Sequence, residues 1–93
     1  MRQYELVAVF PSEEELFRQG KEAVAAELAK QGAAEVKETD MGDRQLAYAI
    51  KKRERGHYIL FTMNLDPQKV TPAERIFKLN PNLLKYLFVK VED

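Results

Sequence analysis

The chain has 93 residues, with 15 basic and 15 acidic side chains, one histidine and no cysteine. A chain of this length buries one hydrophobic core, so we predict a single domain over residues 1–93 without an enclosed active-site cavity. The cysteine and histidine counts exclude disulfides, thiolate metal sites and multi-histidine sites, and the zero net charge argues against general nucleic-acid binding.

The first predicted element is a strand from Arg2 to Phe10, because hydrophobicity alternates along it. One side carries Tyr4, Leu6, Ala8 and Phe10, and the other carries Gln3, Glu5, Val7 and Val9. Pro11 ends this strand.

A helix is predicted next, from about Glu13 to Gln31. Ser12 and Glu15 have the spacing of a capping box, and Gly32 is expected to end the helix in a left-handed conformation. The helix has an apolar stripe formed by Leu16, Phe17, Gly20, Val24 and Leu28. Gly20 is expected to permit close packing of this helix on a sheet.

A long, bent second strand is predicted from Ala33 through Ile50. Its first part, residues 33–41, is rich in charged side chains, which favours an edge position. Gly42 is expected to form a bulge and Gly56 a turn, since glycine adopts positive φ without steric cost. A basic hairpin tip lies between these glycines and contains Lys51, Lys52, Arg53 and Arg55.

The last predicted elements are a strand, a helix and a strand. The strand from His57 to Leu65 is the most apolar and is expected to be central. A capping box at Thr71 and Glu74 predicts a helix from roughly Thr71 to Leu79, with Ile76 and Leu79 facing inward. Residues 67–70 form either an introductory turn or the first turn of a helix kinked at Pro72. The final strand is predicted from Leu83 to Val91.

The element order β-α-β-β-α-β predicts an α+β fold of the ferredoxin-like type. Right-handed crossovers on this order give a four-stranded antiparallel sheet with strand order 4-1-3-2. Both helices then cover one face and leave the other without helices.

The helix-free face and the basic tip are the two candidate binding features. Apolar residues on such a face favour a protein partner over the alternative of scattered strand residues with good β-propensity. The candidates are Val7, Val9, Tyr48, Tyr58, Leu60, Leu87 and Val89. The basic tip predicts a nucleic-acid contact, its field extended by Arg2, Arg44 and His57, although a solvated turn is the alternative.

Catalysis is not expected, although acylphosphatases share the predicted topology. Their chemistry needs an arginine-containing anion loop after the first strand, whereas residues 11–15 here are acidic and repel phosphate. No carboxylate is evident beside His57 to make it a general base. Base stacking on the sheet is also not expected, because the aromatic residues of strand 3 have the wrong parity. A small-molecule-binding or protein-interaction regulatory module of the same topology stays open.

The longest apolar run, Leu6 to Phe10, is too short to cross a membrane, and no secretory leader opens the sequence, so we expect a cytoplasmic protein.

The hairpin segment carries a resemblance to a known family. Its pattern consists of Gly42, Arg44, Leu46, Ala47, Tyr48, Ile50, Lys52, Gly56 and Tyr58. Together with the segments Met1–Glu5 and Phe88–Lys90, this pattern resembles the bacterial ribosomal protein S6 family over the whole chain. The family usually has proline at the position of Ala49.

The resemblance implies a structural constituent of the small ribosomal subunit. It implies binding to the central domain of 16S rRNA together with ribosomal protein S18, by a chain that is monomeric when free. It implies no cofactor, small-molecule substrate or membrane partner. The RNA-binding residues that it implies are Arg2, Tyr4, Arg44, Lys52, Arg53, Arg55, His57, Lys85 and Lys90.

Overall fold

The computed structural model describes residues 1–91, which form one antiparallel sheet and two helices. The elements are β1 Arg2–Phe10, α1 Glu14–Lys30, β2 Ala34–Ile50, β3 Arg53–Leu65, a 3₁₀ turn Pro67–Lys69, α2 Val70–Phe77 and β4 Lys85–Lys90. The strand order β2-β3-β1-β4 confirms the ferredoxin-like prediction, with β3 inside the sheet. The prediction of one domain over residues 1–93 stays a prediction, since residues 92 and 93 lie outside the described part. No helix among the described residues is long and apolar enough to cross a membrane.

The hydrophobic core lies between the helices and one face of the sheet. As the alternation predicts, β1 and β3 supply Tyr4, Leu6, Ala8, Phe10, Ile59, Phe61, Met63 and Leu65. The helices close this core with Val24, Leu28, Ala73 and Phe77. Each large apolar side chain buried here contributes about 1.5–3 kcal/mol relative to exposure. This face therefore provides most of the stability of the fold.

The start of α1 differs from the predicted capping box. The Ser12 hydroxyl donates to Asp43 Oδ1 on β2 at 2.7 Å, and Glu15 pairs with Arg18 one turn along the helix. Glu13 is the N-cap residue, and within residues 1–91 its side chain makes no cap hydrogen bond. The capping-box prediction is wrong because the N-cap is Glu13 rather than Ser12, and the tertiary fold brings Asp43 close enough to orient the Ser12 hydroxyl toward β2.

Close packing of α1 at Gly20 is confirmed, but its partners include a loop. A Cβ atom at Gly20 would lie 2.3 Å from the Asn82 carbonyl oxygen and 2.8 Å from Phe10 Cδ1. The helix thus contacts both β1 and the loop before β4. At its other end α1 ends before Gly32, which has a φ of +81°, as predicted.

The two glycines of the hairpin have different roles. Gly42 has a φ of +87° at a register shift between β2 and β3, which confirms the predicted bulge. Gly56 is not a turn residue, because it is buried inside β3 and pairs with Arg44. A Cβ atom there would lie 2.5 Å from Val9 Cγ1, so the backbone of β3 needs glycine for close packing. The turn lies earlier, and β3 begins at Arg53 rather than at His57.

The second helix begins and faces differently from the prediction. Asp66 accepts a hydrogen bond from the Gln68 amide and starts the 3₁₀ turn, so the helix is initiated before Thr71 and the predicted second capping box is wrong. Its buried residues are Ala73 and Phe77, spaced one turn apart. Ile76 and Leu79 are 40% and 77% exposed, so their predicted inward orientation is wrong. Strand β4 begins at Lys85, two residues later than predicted.

Candidate nucleic-acid and protein interfaces

The helix-free face of the sheet has an apolar centre. Leu60, Val7 and Leu87 lie side by side across β3, β1 and β4. Leu87 is 59% exposed, and Val89 is 43% exposed two residues further along β4. A shallow groove of about 200 Å³ follows this face, lined by Val7, Val9, Tyr58, Lys85, Tyr86 and Leu87. We define the apolar face as the six residues Val7, Val9, Tyr58, Leu60, Leu87 and Val89. They are six of the seven partner residues predicted from the sequence, and their role in binding stays a prediction.

Val9 is the exception on this face. It is only 3% exposed because Leu46 and Leu84 cover it. On β2, residues 46–49 stand opposite the single residue Glu54. This large bulge places Leu46 against Val9, and the missing side chain of Gly56 leaves room for it. Val9 therefore packs beneath Leu46 and Leu84 and has almost no exposed area for a partner to contact.

Tyr48, on the same bulge, reaches the opposite edge of the sheet. Lys85 Nζ donates to the Tyr48 hydroxyl at 3.3 Å and lies 5.6 Å from the centre of its ring. Tyr48 is 63% exposed, so this bridge still leaves much of the ring accessible. The contact places the bulge of β2 and the start of β4 beside the apolar face.

The tip of the hairpin is a two-residue turn made of Lys51 and Lys52. Their φ angles are +49° and +65°, which is the type I′ pattern that favours Asn-Gly. A non-glycine residue in this region costs roughly 1–2 kcal/mol. Both side chains are exposed. The turn therefore presents two ammonium groups at a cost in backbone energy.

The predicted RNA-binding arginines next to the turn are paired with carboxylates of the chain itself. Arg53 Nη1 donates to Glu13 Oε2 at 2.6 Å, and this hydrogen bond lowers the pKa of Glu13. Arg55 Nε lies 3.3 Å from Asp43 Oδ2. The pKa of Asp43 is lowered first by the hydroxyl of Ser12 and then by Arg55. Both ion pairs are partly exposed, so a phosphate can reach the arginines. Each arginine must first break its ion pair with the carboxylate before it can bind that phosphate.

Arg44 and His57 make different contacts. Arg44 lies over the ring of Tyr58, with 5.9 Å between the guanidinium and the ring centre. The imidazole of His57 stacks on Phe17 of α1 at 3.9 Å, and its Nε2 lies 2.6 Å from Asp40 Oδ1. This contact lowers the pKa of Asp40, with a further contribution from the Gly42 amide. The expectation that no carboxylate lies beside His57 is wrong, since β2 and β3 bring together residues distant in sequence.

Three predicted RNA-binding residues lie far from the tip. Arg2 pairs with Leu65 at the opposite end of β3, so it does not extend the positive field of the hairpin. Tyr4 is 7% exposed, and its ring packs edge-on against Phe88 in the core, which leaves no ring face for a base. Lys90 is exposed and pairs with Tyr4 at this same far end. The nine residues therefore form at least two separate groups.

Lys78 is a candidate that the sequence analysis missed. It directly follows α2 and lines a groove of about 330 Å³ together with Lys51 and Lys85. The Asn80-Pro81 break was the available signal, since it places Lys78 at the C-terminal end of a helix, where a cation is favoured.

Comparison with known proteins places the chain among ribosomal proteins. The family model described as Ribosomal protein S6 matches residues 3–90. The small ribosomal subunit protein bS6 of Treponema denticola is 46% identical over 93 residues, covering all of both chains. That of Treponema pallidum is 45% identical, also over all of both chains.

A solved structure has the same fold. The crystal structure of 30S ribosomal protein S6 from Thermotoga maritima superimposes with a TM-score of 0.81 at 23% identity. The match covers 97% of this chain and 87% of that one. It supports the strand order and the placement of both helices on one face.

Proposed function

The chain belongs to the bacterial ribosomal protein S6 family, and we propose that, as a protein of the small ribosomal subunit, it binds the central domain of 16S rRNA together with ribosomal protein S18. In this role it is a structural component and not an enzyme. It acts in the cytoplasm, where ribosomes work. The observation that carries the proposal is an apolar, helix-free sheet face beside an exposed lysine turn.

The apolar face supports the protein half of the proposal. The outer face of an antiparallel sheet is ordinarily polar, because it contacts water. Here Leu60, Val7 and Leu87 form a continuous row across three strands. An exposed apolar patch flanked by polar residues is typical of a protein interface. Ribosomal protein S18 is the proposed occupant, and the chain is monomeric before it binds.

The hairpin tip supports the RNA half of the proposal. Phosphate contacts need point charges and hydrogen-bond donors rather than a reading of base sequence. Lys51 and Lys52 supply such charges on a short turn that projects beyond the sheet. We retain Arg44, Arg53, Arg55, Lys85, Arg2 and Lys90 as proposed contacts. His57 and Tyr4 are proposed to act only indirectly, since the fold occupies their rings.

The charge balance predicts that the chain binds RNA weakly by itself. With zero net charge, it neutralises few phosphates. Each phosphate contributes a salt slope of about −0.7 to −0.9 in log K against log salt. The partner protein is therefore expected to strengthen binding, because it adds its own contacts to the same RNA.

The test is titration of labelled central-domain RNA with this chain, with and without ribosomal protein S18, over a range of salt. We expect weak binding alone and strong binding with the partner. Leu87→Ser is expected to abolish the strengthening because it places a polar group in the apolar row. Leu79→Ser is the matched control, since Leu79 is also exposed but lies beyond α2 on the helix side.

Two results would contradict the proposal. One is tight, salt-insensitive RNA binding by the isolated chain. The other is equal loss of the partner effect in Leu87→Ser and Leu79→Ser, which would mean that the apolar face is not the docking surface. No observation on residues 1–91 favours the small-molecule regulatory module, so we propose no second function.

A further inference from the structure

A second basic groove shares no lining residue with the groove that the paired arginines line. It is lined by Lys51, Phe77, Lys78, Leu83, Leu84, Lys85 and Tyr86. Its lysines come from three separate places: the hairpin turn, the residue after α2 and the first residue of β4. Residues so distant in sequence meet only through the fold. The lysine groove has a volume of about 330 Å³, roughly ten times the volume of a liquid water molecule.

The lysine groove differs in charge from the groove on the arginine side. The arginine groove is lined by Glu13 and Glu54 as well as by Lys52, Arg53 and Arg55. The lining of the lysine groove contains no carboxylate. Within residues 1–91, no ion pair involves Lys51, Lys78 or Lys85. Three lysines therefore line this groove without an ion-pair partner among the described residues, whereas Arg53 and Arg55 on the arginine side are paired with carboxylates.

The remaining lining is apolar or neutral. Leu83 and Phe77 belong to the core, so the groove rests on a rigid base. Burial raises the pKa of Tyr86, and Glu74 raises it further through its charge and a hydrogen bond, so one carboxylate lies next to the groove although it does not line it. Lys85 donates to the Tyr48 hydroxyl and not to a carboxylate. An anionic ligand at this groove would therefore not have to displace a carboxylate from Lys51, Lys78 or Lys85.

We propose that this groove, lined by Lys51, Lys78 and Lys85, binds the phosphate backbone of the RNA, and that Lys78 is a contact residue. The inference rests on the proposed RNA-binding function and adds a specific site to it. Three lysines on separate elements supply positive point charges, which is how ammonium groups bind phosphates. Lys85 also lines the groove on the apolar face, so the RNA site adjoins the proposed protein site.

Lys78 has a competing structural explanation. A cation at the end of a helix is favoured by the helix dipole, which would account for its presence without any ligand. The two explanations predict different results. A dipole role affects the unfolding midpoint, whereas a phosphate role affects the salt dependence of RNA binding.

The experiment measures RNA affinity of Lys78→Gln over a range of salt, in the presence of ribosomal protein S18. We expect weaker binding to all RNA sequences tested and a salt slope smaller by about one. Lys78→Arg is expected to restore both values. Lys69→Gln is the matched control, because Lys69 is exposed near the other end of α2 and does not line the groove. Thermal unfolding of each variant tests the dipole explanation.

The outcomes separate this proposal from the proposed function. If the unsubstituted chain binds RNA with its partner and Lys78→Gln has the same affinity and slope, the groove proposal is wrong while the function stands. If Lys78→Gln instead weakens binding to the partner protein without RNA, the groove is a protein contact and the proposal is again wrong. If the unsubstituted chain does not bind this RNA with its partner, both proposals fail.

Discussion

Leu60 and Phe61 are neighbours on β3, yet they lie in opposite environments. Phe61 is completely buried between the sheet and the helices. Leu60 lies on the helix-free face beside Val7 and is only partly covered. Their difference follows from the two-residue period of a strand, which sends successive side chains to opposite faces.

The comparison separates residues that stabilise the fold from residues that the fold presents to a partner. The helix side is closed by Val24, Leu28, Ala73 and Phe77 and needs nothing further. The opposite side keeps Leu60, Leu87 and Val89 in contact with water. Apolar residues in that position contribute little to folding, which is why we propose them as residues that contact a protein partner. Composition alone does not distinguish the two sets.

The largest expected effect on stability is the difference between alanine substitutions at Phe61 and at Leu60. Phe61→Ala is expected to lower the free energy of unfolding by about 3–5 kcal/mol, because it leaves a cavity in the core. Leu60→Ala is expected to cost about 1 kcal/mol or less, since it removes only partly covered surface. Urea denaturation measures both values. Equal losses at the two positions would mean that the open face also serves the stability of the isolated chain.

A smaller effect, of opposite sign, is expected at the hairpin turn. Replacing Lys51 and Lys52 by Asn and Gly gives the residues that a type I′ turn favours. Asn and Gly tolerate positive φ better than lysine, but glycine also raises the entropy of the unfolded chain, so the free energy of unfolding is expected to rise by about 1 kcal/mol. RNA binding with the partner protein is expected to weaken, because two charges are lost. Unchanged stability together with unchanged RNA binding would show that the two lysines have neither role.

The smallest effect concerns the contact between Asp40 and His57. The pKa of Asp40 is lowered from its ordinary value of 3.8, so its contribution to stability is present above that pH. It is lost as pH falls from 3.8 through the lower folded value. Asp40→Asn is therefore expected to be less stable than the unsubstituted chain at neutral pH, with the gap closing in acid. Urea denaturation at neutral pH and near pH 3 measures this gap. The same gap at both pH values would exclude ionisation of Asp40 as its cause.

Elements set by local pattern were predictable from the sequence. The alternation of β1 and β3 identified their core residues, and Gly32 and Gly42 marked a helix end and a bulge correctly. The helix caps were not predictable in the same way. Ser12 has the spacing of a capping residue but donates to Asp43, which is 31 positions away. Asp66, rather than Thr71, provides the hydrogen bond that initiates the second helical segment.

The binding surfaces were predictable only in part. The alternation located the row of Leu60, Val7 and Leu87, since register follows from hydrophobic pattern. The same pattern could not show that Leu46 folds over Val9, because that contact depends on a bulge in an edge strand. The sequence also carried no sign that Arg53 and Arg55 are paired, whereas in the structure each of them forms an ion pair with a carboxylate.

The sequence by itself determined the order of the elements, the face that each strand residue takes and the basic character of the hairpin. These properties depend on neighbours within a few positions. Only the tertiary structure decided which charges remain uncompensated, because ion pairs depend on distances between residues far apart in the chain. For that reason Arg53 is paired with Glu13, while Lys51, Lys78 and Lys85 line one groove whose lining contains no carboxylate.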